Sequence, residues 1–190
     1  MVLNGPREVT DLEVRRLVRR AVDDPESFRK LYDMYIDHVY AFAYRRLGSR
    51  AEAEDATADT MLAALANLDR FAWKGGGFGA WLFRIARNRC LDALRDRRRE
   101  LPLLADHAAE TGSDGATPEE ALISEEQHDR IRALVAGLPD PQQEAVLLKY
   151  SAGLSNKEIA EATGRTPTAV SSLLNRATSK LRRQWGEQHG

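Results

Sequence analysis

Between Arg84 and Arg99 the chain carries seven arginines (Arg84, Arg87, Arg89, Arg95, Arg97, Arg98 and Arg99) against Asp92 and Asp96, a local balance of +5. Guanidinium groups pair with phosphate oxygens, and a cluster of them gives salt-dependent affinity for a nucleic-acid backbone. Arg84, Arg87, Asn88, Asp92 and Arg95 recur at steps of three and four, so several can share one helix face. Asn88 adds an amide able to bond a base edge. From Asp106 to Asp129 the sign reverses: eight acids and no Lys or Arg give −8. Such asymmetry suggests separate binding surfaces, against the plainer alternative of solvated helix faces.

A second set of chemistry-bearing residues lies near the C-terminal end. Ser155 and Glu158 have the spacing of a capping box, Gly164 permits a sharp turn, and Thr166-Pro167 supplies an N-cap and first helical position. Ile159, Ala160 and Ala162, then Val170, Leu174, Ala177 and Leu181, form the apolar faces. Short helix, glycine turn and longer amphipathic helix make a helix-turn-helix whose second helix enters the major groove. Arg165, Thr166, Thr168, Ser171 and Ser172 stand at the end that approaches bases, where hydroxyls give modest specificity. Asn175, Arg176 and Lys180 follow on that helix, with Arg182 and Arg183 beyond, and the cations suit phosphates. A helical hairpin docking on another protein is the competing reading of the same pattern.

Catalytic constellations are missing. No carboxylate pair or phosphate loop has catalytic spacing, and His38, His107, His128 and His189 are scattered. Cys90, the single cysteine, allows no internal disulfide and belongs to no zinc-spaced set, so it reads as a core residue. No enzyme activity, metal or cofactor is expected. No apolar run approaches the ~20 residues that span a bilayer, and MVLNGPREVTDLEV lacks a signal-peptide core. The expected location is cytoplasmic.

The elements that must position these residues are helical. The 190 residues are 43% hydrophobic and 30% charged, with 7% aromatics and no strand-like runs, which predicts an all-α protein. Val9, Leu12, Leu17, Val18 and Ala21 suggest a first helix. Asp24-Pro25 starts a second, with Phe28, Leu31, Tyr32, Tyr35, Val39 and Phe42 inward and Gly48 at its end. Ser49 and Glu52 read as a capping box for a third, burying Ala53, Ala56, Met61, Ala64, Leu65 and Leu68. Gly75-Gly76-Gly77 reads as a flexible break before a helix from about 80 to 98 that buries Trp81, Leu82, Ile85, Ala86 and Leu94. Proline and glycine between Leu101 and Pro118 mark a linker, and a helix from about 118 to 136 is expected next. Asp140 should cap the following helix, with Val146, Leu147 and Tyr150 inward.

Four segments, AEDATADTMLAALANLDRF, WLFRIARNRCLDALRDRRR, LPDPQQEAVLLKYSAGLSNKEIAEATG and VSSLLNRATSKLRR, together resemble the sigma-seventy family, specifically its short extracytoplasmic-function (ECF) sigma factors. The resemblance covers about Glu26 to Arg183. It implies two small helical domains joined by an acidic linker: region two at 1–100, the linker at 101–130 and the region-four helix-turn-helix at 131–190. It implies binding to core RNA polymerase and promoter DNA without catalysis or a small-molecule substrate. Glu52, Glu54, Asp55 and Asp59 would face the polymerase, their acidity suiting a basic partner. Arg84, Arg87, Asn88 and Arg95 would serve the minus-ten element. Trp73 and Phe78, beside the glycines, are candidates to receive an unstacked base, with a place in the core as the alternative. The linker would thread toward the channel later filled by RNA, or act as a plain tether. Many members are held inactive by an anti-sigma factor; no residue here identifies one.

One departure bears on promoter choice. The family commonly has a basic residue on each side of a serine after the valine, whereas this chain reads Val170-Ser171-Ser172-Leu173-Leu174. Minus-thirty-five contacts must then lean on Arg165, Thr168, Ser172, Arg176 and Lys180. The rival reading is a stand-alone helix-turn-helix repressor or activator, which would need a ligand pocket or dimerisation helix in residues 1–100 and would bind DNA without polymerase.

Overall fold

The computed structural model describes residues 11–73, 75–100 and 130–187, and among them every regular element is helical. In chain order these are α1 (Asp11–Arg20), α2 (Pro25–Leu47), α3 (Arg50–Ala66), a 3-10 turn (Leu68–Arg70), α4 (Gly77–Glu100), α5 (residues 130–136), α6 (Asp140–Tyr150), α7 (Asn156–Thr163) and α8 (Pro167–Glu187). The fold is all-α. The linker and most of the helix expected at 118–136 lie outside the described residues.

Helices α1 to α4 pack around Leu31, Val39, Phe42, Leu82 and Phe83, all buried. Asp24 caps α2 as expected, its carboxylate accepting from the Glu26 amide at 3.1 Å. The Ser27 hydroxyl, which donates to Asp24, is the main reason that carboxyl is held below its ordinary range. Gly48 closes α2 with φ +73, a conformation that favours glycine. Only half of the expected box forms at α3. Ser49 Oγ accepts from the Glu52 amide at 3.4 Å, while the Glu52 carboxylate turns to Arg97.

Helices α6 to α8 close around Leu148, Ile159 and Val170. Asp140 does not cap α6. Pro139 precedes the helix without a side-chain cap, and Asp140 instead pairs with Arg46 of α2 at 3.0 Å. Tyr150, expected inward, is 66% exposed, and Leu65 is 49% exposed. Both sit on faces that helical periodicity makes neighbours of the core, with no element among the described residues to cover them.

The two helical units are in contact. Helix α7 lies on the N-terminal half of α4, and α6 meets α2. At that seam the glycines expected to form a flexible break have a tighter task. Gly76 is buried, and a β-carbon there would stand 2.9 Å from Glu161 Cβ and 2.6 Å from Ala80 Cβ. Gly77 has φ +67 and begins α4 earlier than hydrophobic periodicity suggests. The backbone approach requires glycine because no side chain fits between α4 and α7.

Candidate nucleic-acid and polymerase interfaces

Helix α4 builds the first surface. Its buried side is anchored by Phe78, Leu82, Phe83, Ala86 and Cys90, so its other positions must face outward or toward α6 and α7. Burial pushes the Cys90 thiol up to about 12, consistent with a core residue that stays protonated. Arg84, Asn88 and Arg95 are exposed, and Arg87 is partly covered. Arg95 pairs with Asp92 at 3.0 Å, and Arg87 reaches Asn88 Oδ1 at 3.4 Å. Arg87 also meets Glu144 of α6, and Arg84 meets Glu161 of α7, partners that sequence spacing does not reveal.

The two aromatic candidates separate. Phe78 is 2% exposed, inside a cluster with Tyr35, Phe71 and Trp81 at centroid distances of 5.4, 5.8 and 5.5 Å. It is a core residue here and presents no face to a base, because those three rings enclose it at the start of α4. Trp73 remains at the surface. The Arg15 guanidinium lies 4.4 Å from its ring centroid, and a cavity of about 300 Å³ opens beside it. Arg15, Arg19, Asp69 and Phe71 share its wall. The contribution of Arg15 and Arg19 was not legible in the sequence, since nothing in their spacing ties α1 to a loop more than fifty residues away.

The helix-turn-helix has its expected caps. Ser155 and Glu158 form the complete box, with bonds of 2.8 and 3.3 Å, and Gly164 turns with φ +67. Thr166 Oγ1 accepts from the Ala169 amide at 3.2 Å. Val170 and Ala177 are fully buried, which turns Arg165, Thr166, Thr168, Asn175 and Arg176 to solvent. Ser172 is half-buried. Ser171 is committed within the protein: its hydroxyl donates to Pro167 O and accepts from Asn156 Nδ2, each at 3.0 Å. Lys180 donates to Gly137 O at 3.0 Å and lines a polar cleft of about 380 Å³ with Gln142, Asn175, Arg176, Ser179 and Arg183.

Helix α3 carries a third surface. Glu54, Asp55 and Asp59 are exposed; Glu54 pairs with Arg50 at 2.9 Å, and the half-buried Glu52 with Arg97 at 3.4 Å. Leu62, 64% exposed, and Leu65 extend the line of Asp55 and Asp59 at helical steps. Exposed acids followed by two exposed leucines set negative charge and apolar area side by side on one helix face. Periodicity assigned Leu65 to the core and so hid half of it.

Residues 31–100 match the family model for Sigma-70 region 2, and residues 128–181 that for Sigma-70, region 4. The chain is 35% identical over 168 residues to the ECF RNA polymerase sigma factor BldN of Streptomyces coelicolor, an alignment covering 88% of this chain and 64% of that protein. It is 32% identical over 178 residues to the ECF RNA polymerase sigma factor SigW of Bacillus subtilis, covering 90% of this chain and 95% of SigW. Among solved structures it is similar to CnrH in complex with the cytosolic domain of CnrY, with a TM-score of 0.68 and 25% identity, over 91% of this chain and 97% of CnrH. The order of the two matched regions, the helix-turn-helix and the similarity to SigW over 90% of this chain lead to one assignment: this chain belongs to the ECF RNA polymerase sigma factors of the sigma-70 family.

Proposed function

We propose that this chain binds core RNA polymerase in the cytoplasm and directs it to promoters, without chemistry of its own. In this reading Asp55, Asp59, Leu62 and Leu65 of α3 dock on the polymerase, with Glu52 and Glu54 adding negative field. Arg84, Arg87, Asn88 and Arg95 of α4 engage the minus-ten element, and Trp73 with its neighbouring cavity offers a seat for an unstacked base. Arg165, Thr166, Thr168, Ser172, Asn175 and Arg176 contact the minus-thirty-five element. Ser171 and Lys180 hold the helix-turn-helix together and contribute to DNA only if their internal bonds exchange. A partner protein that holds the factor inactive is a further expectation, by analogy with CnrH and its bound CnrY domain.

The observation that carries the proposal is the acidic, leucine-tipped stripe of α3. A stand-alone repressor needs no such surface, whereas a factor that must ride on polymerase does. The test is a pull-down of core polymerase with the Asp55→Lys/Asp59→Lys variant. Binding should fall about tenfold or more, since each reversal turns an attraction into a repulsion. Unchanged binding would remove α3 from the interface.

A further inference from the structure

The arginines of α4 are already occupied, and by the other DNA-binding unit. Arg87 Nε donates to Glu144 Oε1 at 2.6 Å, and the Glu144 side chain is only 7% exposed. Arg84 Nη2 stands 3.7 Å from Glu161 Oε1. Beside them Arg46, its side chain 4% exposed, pairs with Asp140 and donates to Gln143. All four acceptors belong to α6 or α7. The seam between the units is also closed by Gly76 against Glu161 and by Gly79, where a β-carbon would stand 3.6 Å from the Leu154 side chain. Among the described residues, Arg95 and Arg99, on the other half of α4, pair within their own helix at Asp92 and Asp96 and remain exposed.

A carboxylate offers an arginine the same charge-assisted acceptors that a phosphate does. We propose that Glu144 and Glu161 act as internal stand-ins for promoter phosphates, so that the free chain masks the upstream half of its own minus-ten helix. The claim rests on α4 being a DNA-binding helix. The two latches differ in strength. Arg84–Glu161 is half exposed and contributes little. Glu144 is buried, and stripping Arg87 from it while it stays buried is strongly unfavourable. The favourable escape is to part α6 and α7 from α4, which lets water reach Glu144 and frees Arg84 and Arg87 at once. Masking and domain closure are therefore one event, and DNA reaches these arginines only when the units separate.

The test compares the full chain with its Glu144→Gln/Glu161→Gln variant by small-angle scattering and by anisotropy of a fluorescent random-sequence single-stranded DNA. A Glu13→Gln/Asp33→Asn variant, altering two exposed acids that take no part in the Arg84–Glu161 and Arg87–Glu144 pairs, controls for net charge. The expected result is a larger radius of gyration and about tenfold tighter DNA binding at low salt than the control, a gain abolished by adding Arg84→Ala and Arg87→Ala. An unchanged radius would overturn the latch. A larger radius with unchanged DNA affinity would instead overturn the DNA-binding role of α4, and the masking with it. Should circular dichroism show that the double variant does not fold, Glu161→Lys replaces it. On a partly exposed position it should give a smaller gain that Arg84→Ala removes, and no gain would overturn the proposal.

Discussion

Arg87 and Glu144 lie 57 positions apart and meet at 2.6 Å, joining α4 of one unit to α6 of the other. The glutamate is the more deeply buried partner, so the pair is asymmetric. Arg87→Ala leaves a buried carboxylate without its cation and should destabilise the chain by about 1–3 kcal/mol, below the figure for fully buried pairs because Arg87 keeps some solvent contact. Adding Glu144→Gln should recover part of that loss. Urea unfolding of the four members of the cycle measures it, and strict additivity would show that the two side chains do not interact.

Gly76→Ala tests the approach of α7 to α4. Its methyl group meets Glu161 Cβ and Ala80 Cβ below contact distance, and neither is the far end of a flexible chain. Stability should drop by about 1–3 kcal/mol, with loosening of the seam. Unchanged thermal unfolding would mean that α7 does not sit against Gly76 in solution.

Thr166→Ala removes the cap of α8. A loss of about 1 kcal/mol is expected, together with weaker duplex binding, because the exposed N-terminal turn frays at the end proposed to meet bases. A variant with wild-type stability and affinity would contradict the capping bond to Ala169.

Cys90 provides a pH prediction. Its folded pKa is raised from 9.0 to about 12 by burial. The folded state therefore favours the thiol, and the associated stability is present below the unfolded value. It is lost as pH rises from about 9 through the folded value. Cys90→Ala should flatten the alkaline side of the stability profile. Thiol labelling at pH 8 should be slow in the native chain and fast in urea; rapid native labelling would contradict the buried site.

Local signals in the sequence were reliable where one residue controls its own neighbourhood. Asp24, Ser155 with Glu158, Gly164 and Thr166 cap or turn the chain as their types require. Val170, Leu174 and Ala177 face inward because a helical repeat leaves little choice. The misreadings share a different cause. Asp140, Glu52, Phe78 and the glycine run take their places from partners far along the chain, and one-dimensional spacing holds no record of them. Leu65 and Tyr150 carry apolar side chains on faces that no helix among the described residues covers, so hydrophobicity alone sent them inward. For the same reason the arginines of α4 were legible as a cationic face, and their carboxylate partners on α6 and α7 were not.

The central claim is that this chain works by directing polymerase. Run-off transcription from a pool of genomic fragments, with core polymerase and purified chain, tests it most directly. Discrete products should appear only when both proteins are present, and should vanish with Arg84→Ala/Asn88→Ala while core binding persists. No product from any fragment, alongside tight sequence-specific DNA binding by the chain alone, would contradict the account and identify a stand-alone regulator.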